Sequence, residues 1–325
     1  MSKPLIRWGI IGCGNVTELK SGPAYQKTAG FELAAVMRRD RAKAEDYATR
    51  HGVSAFYSDA DDIINNDDID AVYIATPPDS HMYYALKVAQ AGKPCCIEKP
   101  MAPNYQQCVA IEQAFKAKNL PLFVAYYRRS LPRFNQVKTW LDQGDIGEVR
   151  HINWRLTKPP QAIDLTGDYN WRTDSTIAPG GYFDDLASHG LDLFTYLLGN
   201  IETVKGLSTN QQGLYGAKDA ITAVWQHQSG ATGSGCWNFG CEVRQDHVEI
   251  LGSKGKITFS IFDHLPLVLS NKASEKELFI EHPENIQLHH VEDMRDALLG
   301  NKVHPSSGLS GSHTSWVMDQ VLASA

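Results

Sequence analysis

The first 37 residues constrain the fold more than any other stretch of this chain. Leu5–Ile11 is an apolar strand of the buried type, and Gly12-Cys13-Gly14-Asn15-Val16-Thr17 follows it at once. A second apolar strand, Phe31–Met37, begins about twenty residues later, as in the βαβ unit that binds dinucleotides. Small residues in such a turn let the backbone approach a pyrophosphate, whose charge the N-terminus of the next helix favours. The predicted cofactor contacts in this turn are Gly12, Cys13, Gly14, Asn15 and Val16.

The end of the second strand bears on the choice of cofactor. An acidic residue directly at that point would accept the ribose 2′-hydroxyl of NAD, but Arg38 and Arg39 stand there instead. Guanidinium groups suit a 2′-phosphate, so the sequence favours NADP(H) over NAD(H). The alternative is a pair of surface arginines, with Asp40 capping a helix predicted over Arg41–His51.

Strands and helices go on alternating up to Tyr126, and the strands are apolar throughout, which predicts a parallel sheet covered on both faces. The predicted elements are a helix at Asp59–Asn66, a strand at Ile69–Ala75, a helix from Asp79 to Ala91, a strand at Pro94–Ile97, a helix at Tyr105–Lys118 and a strand at Leu122–Tyr126.

Two turns in this region carry further candidate contacts. Thr76 and Pro77 end one strand and are predicted to lie under the cofactor, with His81 in the first turn of the next helix. Glu98 and Lys99 leave the carboxyl end of Pro94–Ile97, which is where ligands bind in open parallel sheets. We therefore expect Glu98 at the cofactor and Lys99 at both cofactor and substrate.

After a helix predicted over Leu131–Gln143, the pattern changes to strands separated by short turns, which is typical of an antiparallel sheet. One long helix, Tyr182–Leu198, interrupts these strands, and two more helices are predicted near the C-terminus, at Val291–Leu299 and Ser312–Ser324. The predicted strands are Glu148–Leu156, Val204–Thr209, Ala220–Gln228, Ala231–Phe239, His247–Leu251 and Lys256–Ile261.

The helix Tyr182–Leu198 carries a stripe of polar side chains, formed by Asp185, His189, Asp192 and Tyr196 at helical spacing. It contains no Lys, Arg or Glu, which favours a pocket wall over the alternative of a solvated helix face. Its histidine suits proton transfer near neutral pH, and either Asp185 or Asp192 could orient the ring. Lys99 could then hold the substrate oxygen as a cationic donor.

Composition narrows the class of partner. A net charge of -6 argues against nucleic acid or an anionic membrane surface, and no apolar run is long enough to span a membrane. The six cysteines have no disulfide or zinc spacing and are predicted to be reduced thiols of a cytoplasmic protein. No metal-binding motif is present, and His289-His290 are predicted in a solvated loop and helix start.

Taken together, these motifs resemble the Gfo/Idh/MocA family of oxidoreductases. The matching elements occur in family order: the glycine turn after a strand, the Ala-Thr-Pro-Pro turn, Glu98-Lys99-Pro100, Asn170-Trp171-Arg172, and the pattern GG-x3-D-x3-H-x2-D at Gly180–Asp192. The resemblance implies an α/β protein. Its N-terminal Rossmann domain would span residues 1–127, and an α+β domain with a large, mostly antiparallel open sheet would span residues 128–325, with a return of the last helices to the first domain left open.

The resemblance also assigns roles. Lys99, Asp185 and His189 match the family's catalytic positions, and Trp171 and Arg172 match a segment that reaches the nicotinamide end of the cofactor. Tyr127 is predicted to join Lys99, Asp185 and His189 in binding substrate. Thr17 departs from the family, which usually has a small residue at the third position of the glycine turn.

The implied activity is hydride transfer between NAD(P) and a carbinol or carbonyl of a sugar-like or cyclic polyol substrate. The alternatives are a lyase or hydrolase that keeps its NAD and oxidises the substrate transiently, and a non-catalytic dinucleotide sensor. We also predict a homodimer or homotetramer formed through the second-domain sheet, with Trp225 and Trp237 on the contact strands.

Overall fold

The computed structural model describes residues 5–323, which form two compact units. The first unit comprises the chain up to Leu131 together with His282–Ser312. The second comprises Pro132–Glu281 and the chain from His313 onward. Each unit is built around its own sheet, and the predicted α/β fold class is confirmed.

The sheet of the first unit is parallel throughout, as predicted. Its strands, within the described residues, are β1 (Ile6–Ile11), β2 (Phe31–Met37), β3 (Ala55–Tyr57), β4 (Ala71–Ile74), β5 (Cys95–Ile97) and β6 (Leu122–Val124), in the spatial order β3-β2-β1-β4-β5-β6. The order reverses direction between β1 and β4, and ligands bind at such a switch point. The three-residue strand β3 was not predicted, because it is too short to show a periodic pattern.

Helices cover both faces of this sheet. They are α1 (Asn15–Leu19), α2 (Gly22–Lys27), α3 (Arg41–His51), α4 (Asp61–Ile64), α5 (His81–Gln90) and α6 (Tyr105–Ala117), with 3-10 turns at Pro78–Ser80 and Tyr127–Ser130. Along β4, Val72 and Ile74 face one apolar core, while Ala71 and Tyr73 face the other. Burial on both faces explains why the strands of this unit are apolar throughout.

The second unit contains a larger and mostly antiparallel sheet. Helix α7 (Pro132–Asp142) precedes it, and α8 (Ala162–Thr166), a 3-10 turn (Trp171–Thr173) and α9 (Tyr182–Leu198) follow its first strand. The strands are β7 (Val149–Thr157), β8 (Ile201–Thr209), β9 (Ala220–His227), β10 (Thr232–Asn238), β11 (Gln245–Gly252), β12 (Gly255–Phe259), β13 (Leu267–Asn271) and β14 (Glu275–Leu278), in the spatial order β14-β13-β12-β11-β7-β10-β9-β8. Only β7 and β10 pair in parallel among them.

Helix α9 lies directly against the centre of this sheet. A Cβ atom at Gly190 would come within 2.3 Å of the ring of Trp154, so the absence of a side chain lets the helix approach β7. Trp154 also packs edge-on to Phe194 and Trp237, with ring centroids 5.7 and 5.5 Å away. Trp225 and Trp237 are therefore buried beneath α9. Their prediction as contacts between subunits is wrong, because sequence alternation separates the two faces of a strand without showing which face is covered.

Two helices near the C-terminus complete the structure. Helix α10 (Leu288–Leu298) belongs to the first unit, and α11 (Gly308–Ala323) begins in the first and ends in the second. His290 is almost fully buried in α10, with its neighbour Val291 in the core, which corrects the prediction of a solvated position. Between residues 5 and 323, no helix combines the length and the apolar character needed to cross a membrane.

Candidate active site

A cavity of about 530 Å³ lies at the carboxyl ends of β1, β2 and β4 in the first unit. Many of the predicted cofactor residues contribute to its wall. Among the described residues, the lining comprises Gly12, Cys13, Gly14, Met37, Arg38, Arg39, Asp40, Ala75, Thr76, Pro77, Asp79, Ser80 and Tyr84. Asn15 and Val16 lie in α1 just behind the turn, and do not line it.

The glycine turn shapes one wall of this cavity. Gly12 has a φ of 94°, and a Cβ atom there would lie 2.9 Å from the backbone nitrogen of Thr76. The nearest atom to a Cβ at Gly14 would be 3.9 Å away, so this side of the turn is open to a ligand. Thr17 is fully buried there, and its hydroxyl donates to the Gly14 carbonyl at 2.8 Å. These features match a pyrophosphate cradle.

The end of β2 supplies positive charge to the cavity. Arg38 is half-buried, with Nη1 3.5 Å from the Cys13 carbonyl oxygen, and Arg39 is exposed beside it. Asp40 is already engaged as the cap of α3, because its Oδ1 accepts from the backbone nitrogen of Lys43 at 3.2 Å. That hydrogen bond keeps the pKa of the Asp40 carboxyl below its ordinary value.

His81 lies behind the cavity wall. Its ring is fully buried, with Nε2 2.8 Å from the Thr76 carbonyl oxygen and Nδ1 3.0 Å from that of Pro100. The ring thus ties the turn after β4 to the turn after Lys99, and burial lowers the pKa of this imidazole. A supporting role fits this position better than direct contact with the cofactor.

Glu98 is also nearly buried, at 7% exposure, under the half-buried Lys99. One carboxylate oxygen accepts from the Tyr73 hydroxyl at 2.6 Å and from Gln287 Nε2 at 2.8 Å. The other accepts from the backbone nitrogen of Lys99 at 3.1 Å. Glu98 therefore fixes the backbone that presents Lys99. Sequence reasoning missed Tyr73, which reads as a buried strand residue, and Gln287, which lies far along the chain.

Tyr127 opens the 3-10 turn that follows β6. It is half-buried, and the guanidinium of Arg128 lies 5.0 Å from its ring centroid.

In the second unit, the Trp171–Thr173 turn meets the start of α9. Arg172 Nε donates to Asp185 Oδ2 at 2.7 Å, and its guanidinium lies 4.5 Å from the ring centroid of Trp171. Asn170 caps the turn and also donates to the Tyr182 hydroxyl at 2.9 Å. The structure therefore brings together three of the predicted site residues, Trp171, Arg172 and Asp185.

His189 lies one helical turn beyond Asp185 and is 5% exposed, with its ring 5.8 Å from that of Phe262. The rest of the predicted stripe is packed inside the unit. Asp192 is fully buried and accepts from the Thr314 hydroxyl at 3.1 Å, while Tyr196 donates to Asn135 at 2.9 Å. The second half of the stripe is therefore not the predicted pocket wall, because α11 and α7 cover it.

Asp184 has unusual electrostatics for a residue beside this site. Burial raises its pKa to about 7, although its Oδ2 accepts from the backbone nitrogen of Gly180 at 2.8 Å. The carboxylate of Asp185 contributes to the same upward shift. The neighbouring Gly181 has a φ of 64° and would place a Cβ 2.5 Å from the Lys218 carbonyl oxygen, so glycine here allows close backbone approach.

Across residues 5–323, no group of three or more His, Cys, Asp or Glu side chains is arranged to hold a metal ion. The six cysteines are all free thiols.

Comparison with known proteins identifies the class. Residues 6–126 match the model of an oxidoreductase family with an NAD-binding Rossmann fold, and residues 134–258 match the GFO/IDH/MocA C-terminal domain. The chain belongs to the GFO/IDH/MocA family and is an NAD(P)-dependent oxidoreductase. The resemblance seen in the sequence is thus confirmed.

Particular relatives extend over most of the chain. The chain is 38% identical over 316 residues to oxidoreductase P35 of Formosa agariphila, covering 97% of each chain. It is 31% identical over 264 residues to inositol 2-dehydrogenase of Rhizobium meliloti, covering 78% of this chain and 74% of the other. A solved structure of levoglucosan dehydrogenase with NADH and levoglucosan has a TM-score of 0.88, with 23% identity and coverage of 98% and 97%, which shows a shared fold.

Proposed function

We propose that this protein is an NADP(H)-dependent oxidoreductase that transfers hydride between the nicotinamide and a carbinol or carbonyl of a sugar-like or cyclic polyol substrate. The observation that carries the reaction is the pair His189 and Asp185 on one turn of α9, with Asp185 held by Arg172 at 2.7 Å. The proposed substrate class follows the names of two similar proteins, inositol 2-dehydrogenase and levoglucosan dehydrogenase.

The chain's own residues would move the proton and stabilise the reacting oxygen. His189 accepts the hydroxyl proton during oxidation and returns it during reduction, and Asp185 orients the ring or binds the substrate. The Lys99 ammonium supports the oxygen as negative charge develops on it. Lysine and histidine could exchange these roles, because desolvation can make lysine the acid–base group. The bound nicotinamide would supply the hydride acceptor or donor.

Cofactor choice rests on the charge at the end of β2. Family membership leaves NAD and NADP open, whereas Arg38 and Arg39 line the cavity and Asp40 is engaged at the cap of α3. We assign the two arginines to the 2′-phosphate of NADP. The glycine turn with Thr76 and Pro77 would hold the pyrophosphate side, and Trp171 with Arg172 the nicotinamide end.

A screen of polyols, aldoses and ketoses with NADP(H) and NAD(H), followed at the nicotinamide absorbance, tests this proposal. Net turnover of at least one substrate, with the lower KM for NADP(H), is the expected result. Cofactor that stays bound while substrate is converted without net change in absorbance would indicate the lyase or hydrolase alternative. Tight dinucleotide binding with no conversion across the screen would indicate a sensor.

A further inference from the structure

Lys158 lies at the end of the central strand of the second unit. Its backbone is fixed, because its nitrogen donates to the Asn238 carbonyl at 2.9 Å and its carbonyl accepts from Cys241 at 3.2 Å. Along β7, Ile152, Trp154 and Leu156 are buried on the face covered by α9. Two residues beyond Leu156, Lys158 continues that alternation on the helix side of the sheet.

The surroundings of Lys158 agree with this placement. Three carboxylates act on its ammonium through space, those of Asp185, Asp263 and Asp164. Asp185 is one of the proposed catalytic residues, so Lys158 lies within electrostatic reach of the reacting end of α9. The side chain is half-buried, and burial, followed by the charge of Arg244, lowers its pKa.

Each of these carboxylates already has a stronger partner. Asp185 accepts from Arg172 Nε at 2.7 Å, and Asp263 accepts from Arg244 Nε at 3.1 Å. Asp164 accepts from the Tyr182 hydroxyl at 2.8 Å and from the Gln161 backbone at 3.2 Å. The Lys158 ammonium, by contrast, makes no hydrogen bond or ion pair with any residue between 5 and 323.

The Lys158 side chain is only half-buried, so a ligand that supplies a hydrogen-bond acceptor would replace water at its ammonium. A ligand hydroxyl could accept a hydrogen bond from the ammonium but would bring no charge to it. A carboxylate would supply both the acceptor and the opposite charge. Arg172 and Arg244 make direct ion pairs with Asp185 and Asp263, whereas Lys158 makes none with a residue between 5 and 323.

We propose that Lys158 binds a carboxylate of the substrate, so that the preferred substrate is a sugar acid, such as a uronic or aldonic acid, instead of a neutral sugar. This inference rests on the proposed function, since it names the substrate class of the same site. Lys158 acts in recognition and takes no part in hydride or proton transfer.

The test compares kcat/KM for glucuronate and galacturonate with that for glucose and galactose. The variants are Lys158→Met, Lys158→Arg, and Lys272→Met as a control at an exposed position between β13 and β14. The native protein should prefer the acids. Lys158→Met should lower kcat/KM for the acids by about tenfold or more and leave the neutral sugars within about twofold. Lys158→Arg should retain part of the preference, and Lys272→Met should change neither.

A native preference for neutral sugars, or an equal loss on both classes in Lys158→Met, would overturn the inference. Turnover of neutral sugars alone would leave the proposed function standing. If no sugar is turned over, thermal denaturation with each sugar separates the two ideas. If uronates raise the Tm of the native protein but not that of Lys158→Met, the subsite is supported and the proposed reaction is contradicted. If uronates do not raise the Tm of the native protein, the subsite is contradicted.

Discussion

His189 and Lys99 are held by different means, and the proposed reaction gives each a separate role. His189 is 5% exposed on the first half of α9, and Lys99 is presented by a backbone that Glu98 fixes at 3.1 Å. Neither residue lines the cavity at the glycine turn. Loss of either side chain should therefore affect the chemical step more than dinucleotide binding.

We expect His189→Ala and Lys99→Ala each to lower kcat by about 10²–10⁴-fold, which is the usual contribution of a general acid–base group. Dinucleotide affinity, measured by fluorescence titration, should stay nearly unchanged. His247→Ala, an exposed histidine on β11, is the control. Near-native turnover by both site variants would place the active site elsewhere.

The raised pKa of Asp184 predicts that the stability of the protein depends on pH. Its folded-state pKa of about 7 lies above the ordinary value of 3.8, so the folded protein binds the proton more tightly than the unfolded chain does. Stability should therefore fall as pH rises through this interval, and the penalty should be complete above pH 7. Asp184→Asn removes the ionisation and can keep an acceptor for the Gly180 nitrogen.

The measurement is Tm as a function of pH for the native protein and Asp184→Asn. The two should be close near pH 4, and the variant should have the higher Tm at pH 8. Glu202→Gln, which neutralises an exposed carboxylate on β8, should show no such divergence. A constant difference between Asp184→Asn and the native protein at every pH would show that Asp184 does not titrate in this range.

At the scale of elements, the end of β2 should decide cofactor preference. Arg38→Asp replaces a cation of the cavity wall with an anion. Loss of a charged hydrogen bond of about 1.5–3 kcal/mol should weaken NADP binding by roughly tenfold or more, and the new carboxylate should favour NAD. Arg150→Asp makes the same charge change at an exposed position of the second unit and is the control. The assignment fails if the native protein binds NAD more tightly than NADP.

Elements with strong local signals were predicted well. β2, α3 and α9 have the predicted bounds, because an apolar run defines the strand and periodic patterns define the helices. Asp40 and the left-handed Gly52 also mark the two ends of α3. The edge strand β14 (Glu-Lys-Glu-Leu) was missed because its charges hide the alternation.

The candidate site was also predicted only in part, because some of its contacts join residues that are far apart in the sequence. Motif residues such as Arg38 and Asp185 stand out locally, so the sequence indicates them directly. The partners that hold Glu98, by contrast, are Tyr73 and Gln287, which are brought together by the sheet and by a distant segment. The partial burial of Lys158 likewise follows from tertiary packing and has no local pattern.

At the scale of the whole molecule, the predicted oligomer must use the face of the large sheet that α9 leaves uncovered. Strand alternation places polar and charged side chains there, with a few exposed apolar ones among them. Leu207 is 63% exposed on β8, and Val224 is 55% exposed on β9. Exposed apolar side chains grouped on one surface commonly mark contacts between proteins.

The double variant Leu207→Asp/Val224→Asp should shift the protein from dimer or tetramer to monomer, as measured by light scattering at micromolar concentration. Charged residues brought face to face across an interface repel, and each would lose water. Val303→Asp, at an exposed position of the first unit, should not change the mass. A native protein that is already a monodisperse monomer would remove this prediction.

The first unit includes the late segment His282–Ser312, so it cannot complete its fold until most of the second unit has been synthesised. Asn285 donates to the Leu19 carbonyl at 2.7 Å, Gln287 to Glu98 at 2.8 Å, and Ser306 to the Val124 carbonyl at 2.7 Å. At about 5–20 residues per second, a ribosome needs roughly 10 to 40 s to pass from Leu131 to Ser312. For most of that interval the nascent first unit lacks α10, whose Val291 and Met294 belong to the same apolar core as Tyr73 and Cys96.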